Sequence, residues 1–456
     1  MNRKKLVFRC RLIVLFFPLL CLHSGCKSPA KNEASKPNVV IILTDDMGYS
    51  DISAFGGTLV STPHIDSMAA RGMRFTQYYS AAPICSPSRC GLLTGMYPAR
   101  WNFSTYLDNK KHNLNAEQAD YLDPAAPSMA RFFKNAGYAT GHFGKWHLGG
   151  GRDVTNAPGF EQYGFDEHVS TYESPDPDPL ITATNWIWSF KDSIKRWERT
   201  KYFADKALDF LRRHKDQPCF INLWPDDMHT PWVPSRDTLN QEGMEAYKLV
   251  LKEYDVQIGR FLQGLHDMGL DNNTIVIFTS DNGPLPSFSG RRDIGLRGSK
   301  LSCYEGGTHM PFIITWAGHV PAGRQDTTSV IDGIDLLPSL CRMANIPLPD
   351  SYKGDGEDRS AALTGTPSKR NKDMYWEYGR NNIAFRYPEG RDKSPQMAVR
   401  SGNWKLLMNA DGTGVELYNI GSDRGEKTNV ALSHPEIADE LKGKLSTWWQ
   451  GLPKLK

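Results

Sequence analysis

Several features that often decide the class of a protein are missing from this sequence of 456 residues. Its 54 basic residues nearly balance its 51 acidic ones, so no charge excess favours a nucleic-acid partner. The apolar run at residues 12–22 is too short to span a bilayer as a helix. No two cysteines have CxxC spacing, which argues against a structural zinc site, and no internal repeat is present. Composition therefore predicts an ordinary globular chain, and its length predicts two or three domains or one large α/β domain with an appendage.

The first 26 residues have the pattern of an export signal. Basic residues precede the apolar run, small residues precede Cys26, and a polar tether follows at residues 27–36. This resembles a bacterial lipoprotein signal, in which an acylated Cys26 would anchor the protein to a membrane. Plain signal cleavage is the alternative, because His23 stands where a larger aliphatic residue is usual. We predict an exported bacterial protein, periplasmic or anchored as a lipoprotein.

Export would leave an odd number of cysteines, which suggests that one thiol has special chemistry. The five remaining cysteines are Cys85, Cys90, Cys219, Cys303 and Cys341. A Cys85–Cys90 disulfide is one interpretation of the CSPSRC stretch. A thiolate loop of the tyrosine-phosphatase kind is excluded, because its arginine would stand six residues after Cys85, where Gly91 stands. The Leu-Leu-Thr-Gly run at residues 92–95 predicts the start of a helix.

Apolar strands and amphipathic helices alternate from residue 37 onwards, which indicates a large doubly wound mixed α/β sheet flanked by helices. Strand patterns include CFINLW at residues 219–224, and a long helix is predicted at residues 244–269. From about residue 374, short alternating segments and a final helical pattern predict an antiparallel sheet plus helix. We therefore expect a main domain at residues 37–370 and a smaller subdomain at residues 371–456.

Oxygen-bearing side chains follow two of the predicted strands. Asp45 and Asp46 end the first strand, and Asp281 and Asn282 end a later one. Ligands of such sheets bind at the carboxyl ends of the strands. Carboxylate and amide oxygens suit Ca²⁺ or Mg²⁺ better than zinc. Turn formation is the alternative for either pair alone.

The stretch CSPSR at residues 85–89, continued by LTG at 93–95 and Arg100, resembles the signature of the type I sulfatases. These are the formylglycine-dependent members of the alkaline phosphatase superfamily. The similarity also covers TDDMGYSD at 44–51, TPHIDSMAARGMRF at 62–75, GHFGKWHLG at 141–149, HTP at 229–231, TSDNG at 279–283, LRGSKLSCYEGGTHMPFI at 296–313, and ELYNI at 416–420 with Asn429. It therefore extends over nearly the whole chain after the tether.

The resemblance implies that Cys85 is oxidised to formylglycine by a formylglycine-generating or an anaerobic sulfatase-maturing enzyme. It also implies a divalent metal, Ca²⁺ with Mg²⁺ as the alternative. The implied metal ligands are Asp45, Asp46, the modified Cys85, Asp281 and Asn282. The implied catalytic roles are orientation of the nucleophile by Arg89, sulfate contact by Lys145 and Lys300, turnover of the sulfated enzyme by His147, and protonation of the leaving alcohol by His229.

We therefore expect a catalytic domain at residues 37–370 that hydrolyses sulfate esters, with O-sulfated carbohydrates as substrates. A phosphomonoesterase or phosphodiesterase of the same superfamily is the alternative, although it would normally carry Ser or Thr as nucleophile. An inactive binding protein would have lost a motif residue.

Residues 165–199 match no motif, and we expect them to form walls of the substrate pocket. Trp186 and Trp188 alternate as on a strand, where they would either stack on a sugar or pack in the core. Asp226 or Asp227, just before His229, is a further candidate for substrate contact.

Overall fold

The computed structural model of the chain describes residues 6–7, 36–184, 186–293, 295–381 and 389–453. Cys26 and the predicted lipidation lie outside the described residues, as do nearly all of the predicted export signal and tether. In the described part of the chain, no helix combines the length and the apolar character needed to cross a membrane.

A large sheet of nine strands forms the centre of the compact unit that begins at Lys36. Its strands are β1 (Asn38–Thr44), β2 (Met73–Tyr79), β3 (Ala139–Gly144), β4 (Glu167–Ser170), β5 (Cys219–Trp224), β6 (Thr274–Ser280), β7 (His309–Thr315), β8 (Arg324–Asp326) and β9 (Ile331–Asp332). The order is β4-β3-β5-β1-β6-β7-β2-β8, and β9 also pairs with β2. Strand β7 runs antiparallel to both neighbours, whereas the other recorded pairs in this sheet are parallel. The predicted mixed, doubly wound sheet is confirmed.

Helices cover both faces of this sheet. The helices of this part of the chain are α1 (Pro63–Arg71), α2 (Cys85–Thr94), α3 (Lys110–Asn115), α4 (Met129–Asn135), α5 (Arg199–Arg213), α6 (Gly243–Asp267), α7 (Glu305–Thr308), α8 (Leu336–Met343) and α9 (Ser360–Leu363). A further helix near the C-terminus, α10 (Pro435–Gln450), packs on the second sheet. Apolar residues of α2, α4 and α8 share one core, and those of α1, α5 and α6 share the other.

Strand β1 explains why two cores form. All seven of its residues are buried, and successive side chains of a strand point to opposite faces. Val39, Ile41 and Leu43 lie in the core with α2, α4 and α8. Val40 and Ile42 lie in the core with α1, α5 and α6. A continuous apolar run is the pattern expected of a parallel strand covered on both sides.

A second, antiparallel sheet follows, with its strands in chain order: β10 (Met374–Glu377), β11 (Met397–Ser401), β12 (Trp404–Met408) and β13 (Glu416–Asn419). Leu406 and Leu417 pack on one face against Leu441 and Leu445 of α10. The other face carries Trp376, which shares a core with residues of β2 and α2. The predicted antiparallel sheet with its helix is confirmed.

A fully buried charge cluster lies between the two sheets. Lys405 Nζ of β12 is 2.9 Å from Glu305 Oε1 of α7 and 3.1 Å from Glu426 Oε1. Tyr79 donates a hydrogen bond of 2.7 Å to the second oxygen of Glu305. Burial raises the pKa of Glu426 to about 7, against the opposing charge of Lys405. The cluster therefore joins the small sheet to the segment that begins α7.

Candidate active site

The strand register brings the predicted acidic residues together. Thr44 at the end of β1 lies beside Ser280 at the end of the parallel strand β6. Asp45 and Asp281, which follow them, therefore leave the sheet at the same level. Lys145 follows β3 in the same way. The predicted site lies at the carboxyl edge of the sheet, where α/β proteins bind ligands.

Hydrogen bonds hold Asp46 and Asn282, the second residue of each pair at the strand ends, in place. The backbone N–H of Asp46 donates to Asp281 Oδ1 over 3.2 Å, and Asn282 Nδ2 donates to Asp46 Oδ1 over 2.8 Å. Asp46 has a φ of 59°, a left-handed conformation that Asp adopts more readily than most residues. The chain thus turns at once after β1 and directs Asp46 towards the end of β6.

Cys85 is the first residue of α2 and is 2% exposed. Its sulfur and one oxygen each of Asp45 and Asp281 lie within 4.8 Å of one another. Burial raises the pKa of its thiol to about 12, although Lys145 and Lys300 oppose this shift. An unmodified Cys85 would therefore remain protonated at neutral pH, which argues against the thiol as nucleophile.

The structure around Cys85 corrects two interpretations from the sequence, a disulfide and the start of a helix. Cys85 and Cys90 lie in one helix and form no disulfide, and the other three cysteines in the described ranges are also free. The Leu-Leu-Thr-Gly run ends α2 instead of starting it, because Gly95 takes a φ of 66° and its N–H donates to Gly91 O over 2.9 Å. This is a common glycine ending of a helix.

Three buried cations face the acidic residues. Arg89, one turn after Cys85, donates from Nε and Nη2 to Asp281 Oδ2 over 2.9 and 2.7 Å. Lys145 Nζ lies 2.8 Å from Asp45 Oδ2, and Lys300 Nζ lies 2.7 Å from a carboxylate oxygen of Asp46. Each carboxylate thus has its own cationic partner.

Carboxylate crowding changes the proton affinity of the site. Burial raises the pKa of Asp281 to about 7 against the charge of Arg89, and the neighbouring Asp45 and Asp46 add to the rise. Burial also opposes ionisation of Asp45, but the charges of Lys145, His229 and Arg89 outweigh it and hold the pKa of Asp45 well below its usual range. The cluster would gain from further positive charge.

The donor set fits a hard divalent cation. Asp45 Oδ1 and Asn282 Oδ1 are buried and have no hydrogen-bond partner within the described residues. Oxygens left in this way carry a desolvation cost that a ligand to them would remove. Three carboxylates and one amide oxygen are the ligands that Ca²⁺ and Mg²⁺ prefer.

Two histidines border the cluster. His147 Nε2 lies 3.0 Å from Leu107 O, so this nitrogen carries the proton and Nδ1 is the acceptor. His147 Nδ1 is buried and has no hydrogen-bond partner within the described chain. Burial lowers the pKa of His147 to about 3, although Glu173 opposes the shift. The second histidine, His229, donates from Nδ1 to Thr230 O over 2.6 Å, and its Nε2 lies 3.7 Å from Asp46 Oδ2.

A pocket of about 230 Å³ opens over these groups. Its lining includes, from the predicted site, Asp45, Cys85, Lys145, His147, His229 and Lys300. Arg89 is fully buried and lies outside this lining. The six predicted catalytic residues and the four acidic or amide ligands are therefore placed around one pocket and its floor.

The segment at residues 165–199 contributes to the pocket as expected, through Tyr172, Glu173 and Ile187 among others. The predicted strand at Trp186 and Trp188 is wrong, because these residues lie in an irregular loop. Trp186 is 54% exposed, and its ring centroid is 6.3 Å from that of Tyr172. Of this loop Ile187 lines the pocket, whereas Trp186 approaches it through the ring of Tyr172.

Sequence patterns missed two contacts of the histidines. Glu173 Oε1 lies 3.5 Å from His147 Nε2, and Arg196 donates to the backbone carbonyl of His229 over 2.8 Å. Of the two acids before His229, Asp226 lines the pocket, whereas Asp227 accepts from Thr200 Oγ1 over 2.6 Å. No motif contains Glu173 or Arg196. The only sequence signal for them was their position in residues 165–199, which match no motif.

Comparison with known proteins identifies the family of the chain. The family model for sulfatases matches residues 37–346, and the model for the C-terminal region of N-sulphoglucosamine sulphohydrolase matches residues 299–450. The N-acetylgalactosamine-6-O-sulfatase of Bacteroides thetaiotaomicron is 29% identical over an alignment of 506 residues, gaps included. The alignment covers 94% of this chain and 97% of that protein. The N-acetylgalactosamine-6-sulfatase of Rattus norvegicus is 31% identical over 472 residues, covering 93% and 87%.

A solved structure from work on glycosaminoglycan metabolism by Bacteroides thetaiotaomicron superposes with a TM-score of 0.76. It is 27% identical in sequence, and the match covers 91% of this chain and 99% of that one. The chain belongs to the sulfatase family, as the resemblance predicted, and is a sulfuric ester hydrolase. Members of this family generally use a metal ion and formylglycine.

Proposed function

We propose that this sulfatase removes O-sulfate groups from glycans after Cys85 has been converted to formylglycine. The observation that carries the proposal is the convergence of Cys85, a hard-cation ligand set, two buried lysines and two histidines on one pocket. A sulfate ester needs a nucleophile for its sulfur, positive charge for its oxygens and an acid for its leaving alcohol. The pocket offers residues for each need.

The metal ligands in this proposal are Asp45, Asp46, Asp281 and Asn282, with the modified residue 85 beside them. A hard divalent cation held there would neutralise charge on the sulfate oxygens. We favour Ca²⁺ over Mg²⁺, because Ca²⁺ accepts a larger and less regular set of oxygen ligands. Arg89 would keep Asp281 in place and fix the first turn of α2, and with it the orientation of residue 85.

The hydrate of formylglycine would supply two hydroxyls, one to attack the sulfur and one to release sulfate afterwards. His147 would accept a proton from residue 85, because its Nε2–H is committed to Leu107 O and Nδ1 bears the free lone pair. Lys145 and Lys300 would contact the sulfate oxygens, since both ammonium groups lie at the pocket beside the acidic residues. Their charge would offset the negative charge that develops on these oxygens.

His229 would protonate the leaving alcohol. Its Nδ1–H is directed to Thr230 O, so Nε2 carries a proton only when the ring is an imidazolium. In that form Nε2–H is available on the side of Asp46 and the pocket. Proton transfer from a positioned acid matters most when the leaving oxygen is a poor leaving group, as in a sugar alcohol.

A comparison of an aryl sulfate with the matching aryl phosphate tests the reaction class. We expect the sulfate to be hydrolysed faster, and addition of Ca²⁺ to chelated enzyme to restore the rate. A preference for the phosphate would favour the alternative phosphomonoesterase or phosphodiesterase. Mass spectrometry of the peptide containing residue 85 supplies the control, because activity should scale with the formylglycine fraction.

Glycan substrates are proposed from the relatives and the pocket. The relatives named above are N-acetylgalactosamine-6-sulfatases, so sulfated N-acetylgalactosamine is the first compound to test. The exposed Trp186 beside Tyr172 offers an apolar face against which a sugar ring could stack. A set of saccharides sulfated at defined positions would identify the substrate, and cleavage of aryl sulfates alone would contradict a glycan role.

The remaining proposals concern organisation and location. We propose that residues 37–370 form the catalytic domain and residues 371–456 a subdomain, after a signal at 1–26 and a tether at 27–36. Partners would be a sulfated carbohydrate and a formylglycine-generating or anaerobic sulfatase-maturing enzyme, with no nucleic acid. Acylated Cys26 would hold the enzyme at a bacterial membrane. Cys26→Ser should then move the protein from the membrane to the soluble fraction, whereas a soluble wild type would contradict the anchor.

A further inference from the structure

We propose that Arg196 is a positioning residue for the leaving-group acid, because it fixes the loop at residues 226–231 that presents His229. The inference rests on the proposed function of His229 as that acid. Arg196 lies in the segment that matches no sulfatase motif, 3 residues before α5 begins at Arg199. It does not line the active-site pocket, so its effect would pass through the loop.

The contacts of Arg196 span both sides of His229. Its Nη2 donates to Asp226 O over 2.7 Å and to His229 O over 2.8 Å. Its Nε donates to Pro231 O over 3.2 Å. The residue is 1% exposed, so water does not compete for these bonds. One planar group thus holds three backbone carbonyls of a single short loop.

These carbonyls determine where the imidazole points. The backbone N–H of His229 donates to Asp226 O over 3.1 Å, and the ring Nδ1–H donates to Thr230 O over 2.6 Å. The carbonyl of Thr230 stands between the two carbonyls, of His229 and Pro231, that Arg196 binds. A shift of this backbone would therefore rotate the ring and move Nε2 from its place 3.7 Å from Asp46 Oδ2.

The charge of Arg196 has a local partner and does not require a ligand. Its Nη1 donates to Asp226 Oδ2 over 2.7 Å. Asp226 is buried, but the charges of Arg196 and Arg199 outweigh this burial and lower its pKa to about 2. The ion pair keeps the guanidinium in place, while the remaining N–H groups are free to bind the loop.

Arg199 provides a matched control within the same cluster. It is also fully buried, and its Nη1 donates to the same Asp226 oxygen over 3.0 Å. Its Nη2, however, donates to Ile181 O over 2.8 Å and to Asp192. Arg199 thus shares the charge, the burial and the carboxylate partner of Arg196, but within the described residues it donates no hydrogen bond to the carbonyls around His229.

The test compares Arg196→Lys and Arg199→Lys with wild type and His229→Ala in formylglycine-containing enzyme. Lysine keeps the charge opposite Asp226 but cannot reach three carbonyls from one nitrogen. The readout is kcat/KM for 4-nitrophenyl sulfate and for the sulfated monosaccharide that wild type cleaves fastest. We expect Arg196→Lys to lose about 10- to 100-fold on the sugar sulfate and less than about 3-fold on the aryl sulfate, because a misplaced acid slows mainly poor leaving groups.

Arg199→Lys should leave the ratio of the two substrates within about twofold of wild type, because Arg199 contacts the loop only through the Asp226 side chain and not through its backbone carbonyls. In the His229→Ala background, Arg196→Lys should no longer change the ratio, since the two residues would act through one proton transfer. Thermal melting identifies folded variants. If Arg196→Lys does not fold, Arg196→Gln takes its place with the same expected change in ratio.

Equal losses on both substrates in the Arg196 variant would overturn the inference. The same shift of ratio in Arg199→Lys would also overturn it, because the effect would then come from charge in the cluster. An equal loss on both substrates in His229→Ala would instead refute the acid role of His229 itself. The two failures are therefore distinguished by which variant lacks leaving-group dependence.

Discussion

Replacement of Lys405 by methionine should destabilise the protein strongly at neutral pH. Lys405 is fully buried between Glu305 and Glu426, and methionine would leave the ionised Glu305 and the partly protonated Glu426, whose pKa is about 7, without the cation between them. Breaking a buried ion pair from one side costs about 3–5 kcal/mol. The compact unit of roughly 420 residues has an unfolding entropy near 2 cal/mol/K per residue, so the melting temperature should fall by about 3–6 °C.

The loss of stability in Lys405→Met should be smaller at acidic pH. Lys405 is the main charge that outweighs burial and lowers the pKa of Glu305. A lowered folded-state pKa gives stability that is present at neutral pH and is lost as the pH falls through that pKa. In Lys405→Met both carboxyls would take up protons more readily and so lose their uncompensated charge. The gap between variant and wild type should therefore be smaller at pH 5 than at pH 7.5.

Thermal melting followed by circular dichroism measures this difference, with Lys444→Met as control. Lys444 pairs with Asp373 over 3.1 Å and with Glu440 over 2.9 Å, but its side chain is 34% exposed. Exposed ion pairs contribute about 0–1 kcal/mol, so this variant should melt within about 1 °C of wild type. Equal shifts for the two lysine variants at pH 7.5 would refute the argument from burial.

Two further variants test the site, and a third tests a buried acid next to it in the sequence. Cys85→Ser should fold and bind metal but should not turn over repeatedly, because one hydroxyl has no partner to release sulfate; sustained turnover of aryl sulfate would contradict the formylglycine role. Asp45→Asn should lose most of the thermal stabilisation by Ca²⁺, which for wild type reaches about 2.7 kcal/mol at a hundredfold excess over Kd; an undiminished calcium shift would remove Asp45 from the ligand set. Burial and Asp226 raise the pKa of Asp227 from 3.8 to about 6, so folded protein binds this proton more tightly and loses stability as the pH rises through that window. Asp227→Asn should therefore gain stability relative to wild type between pH 4 and pH 7, and a constant difference in melting temperature would contradict this.

Strand positions could be predicted where local pattern and burial coincide. The CFINLW run forms β5 over the predicted residues, because an apolar run of that length fits a parallel strand covered on both faces. The start of α2 could not be predicted in this way. All ten of its residues are buried, and Ile84 before it supplies no capping side chain. A helix with no exposed face and no capping side chain has neither of the usual sequence signals, an amphipathic pattern and an N-cap residue.

The candidate site likewise contains residues that sequence patterns identify and residues that they do not. Residues such as Asp45 and Lys300 stand in extended motifs, so the resemblance identified them as candidates. Arg196 and Glu173 reach the site through contacts that no spacing reveals. Arg196 binds a loop about 30 residues further along the chain, and its role depends on three backbone carbonyls, whose positions carry no side-chain signal. Only the folded arrangement identifies such a residue.

The packing around Cys85 sets an order of events during synthesis. The apolar cluster that buries Cys85 includes Tyr304, Trp376 and Leu407, and at about 5–20 residues per second these follow it by roughly ten seconds to a minute. Until they arrive, the cysteine lacks this part of its cover, and the proposed maturation enzyme would have access to it. Closure of the small sheet over α2 ends that interval. On the proposed conversion of Cys85 to formylglycine, a variant whose C-terminal part folds faster would thus yield well-folded but less completely modified enzyme.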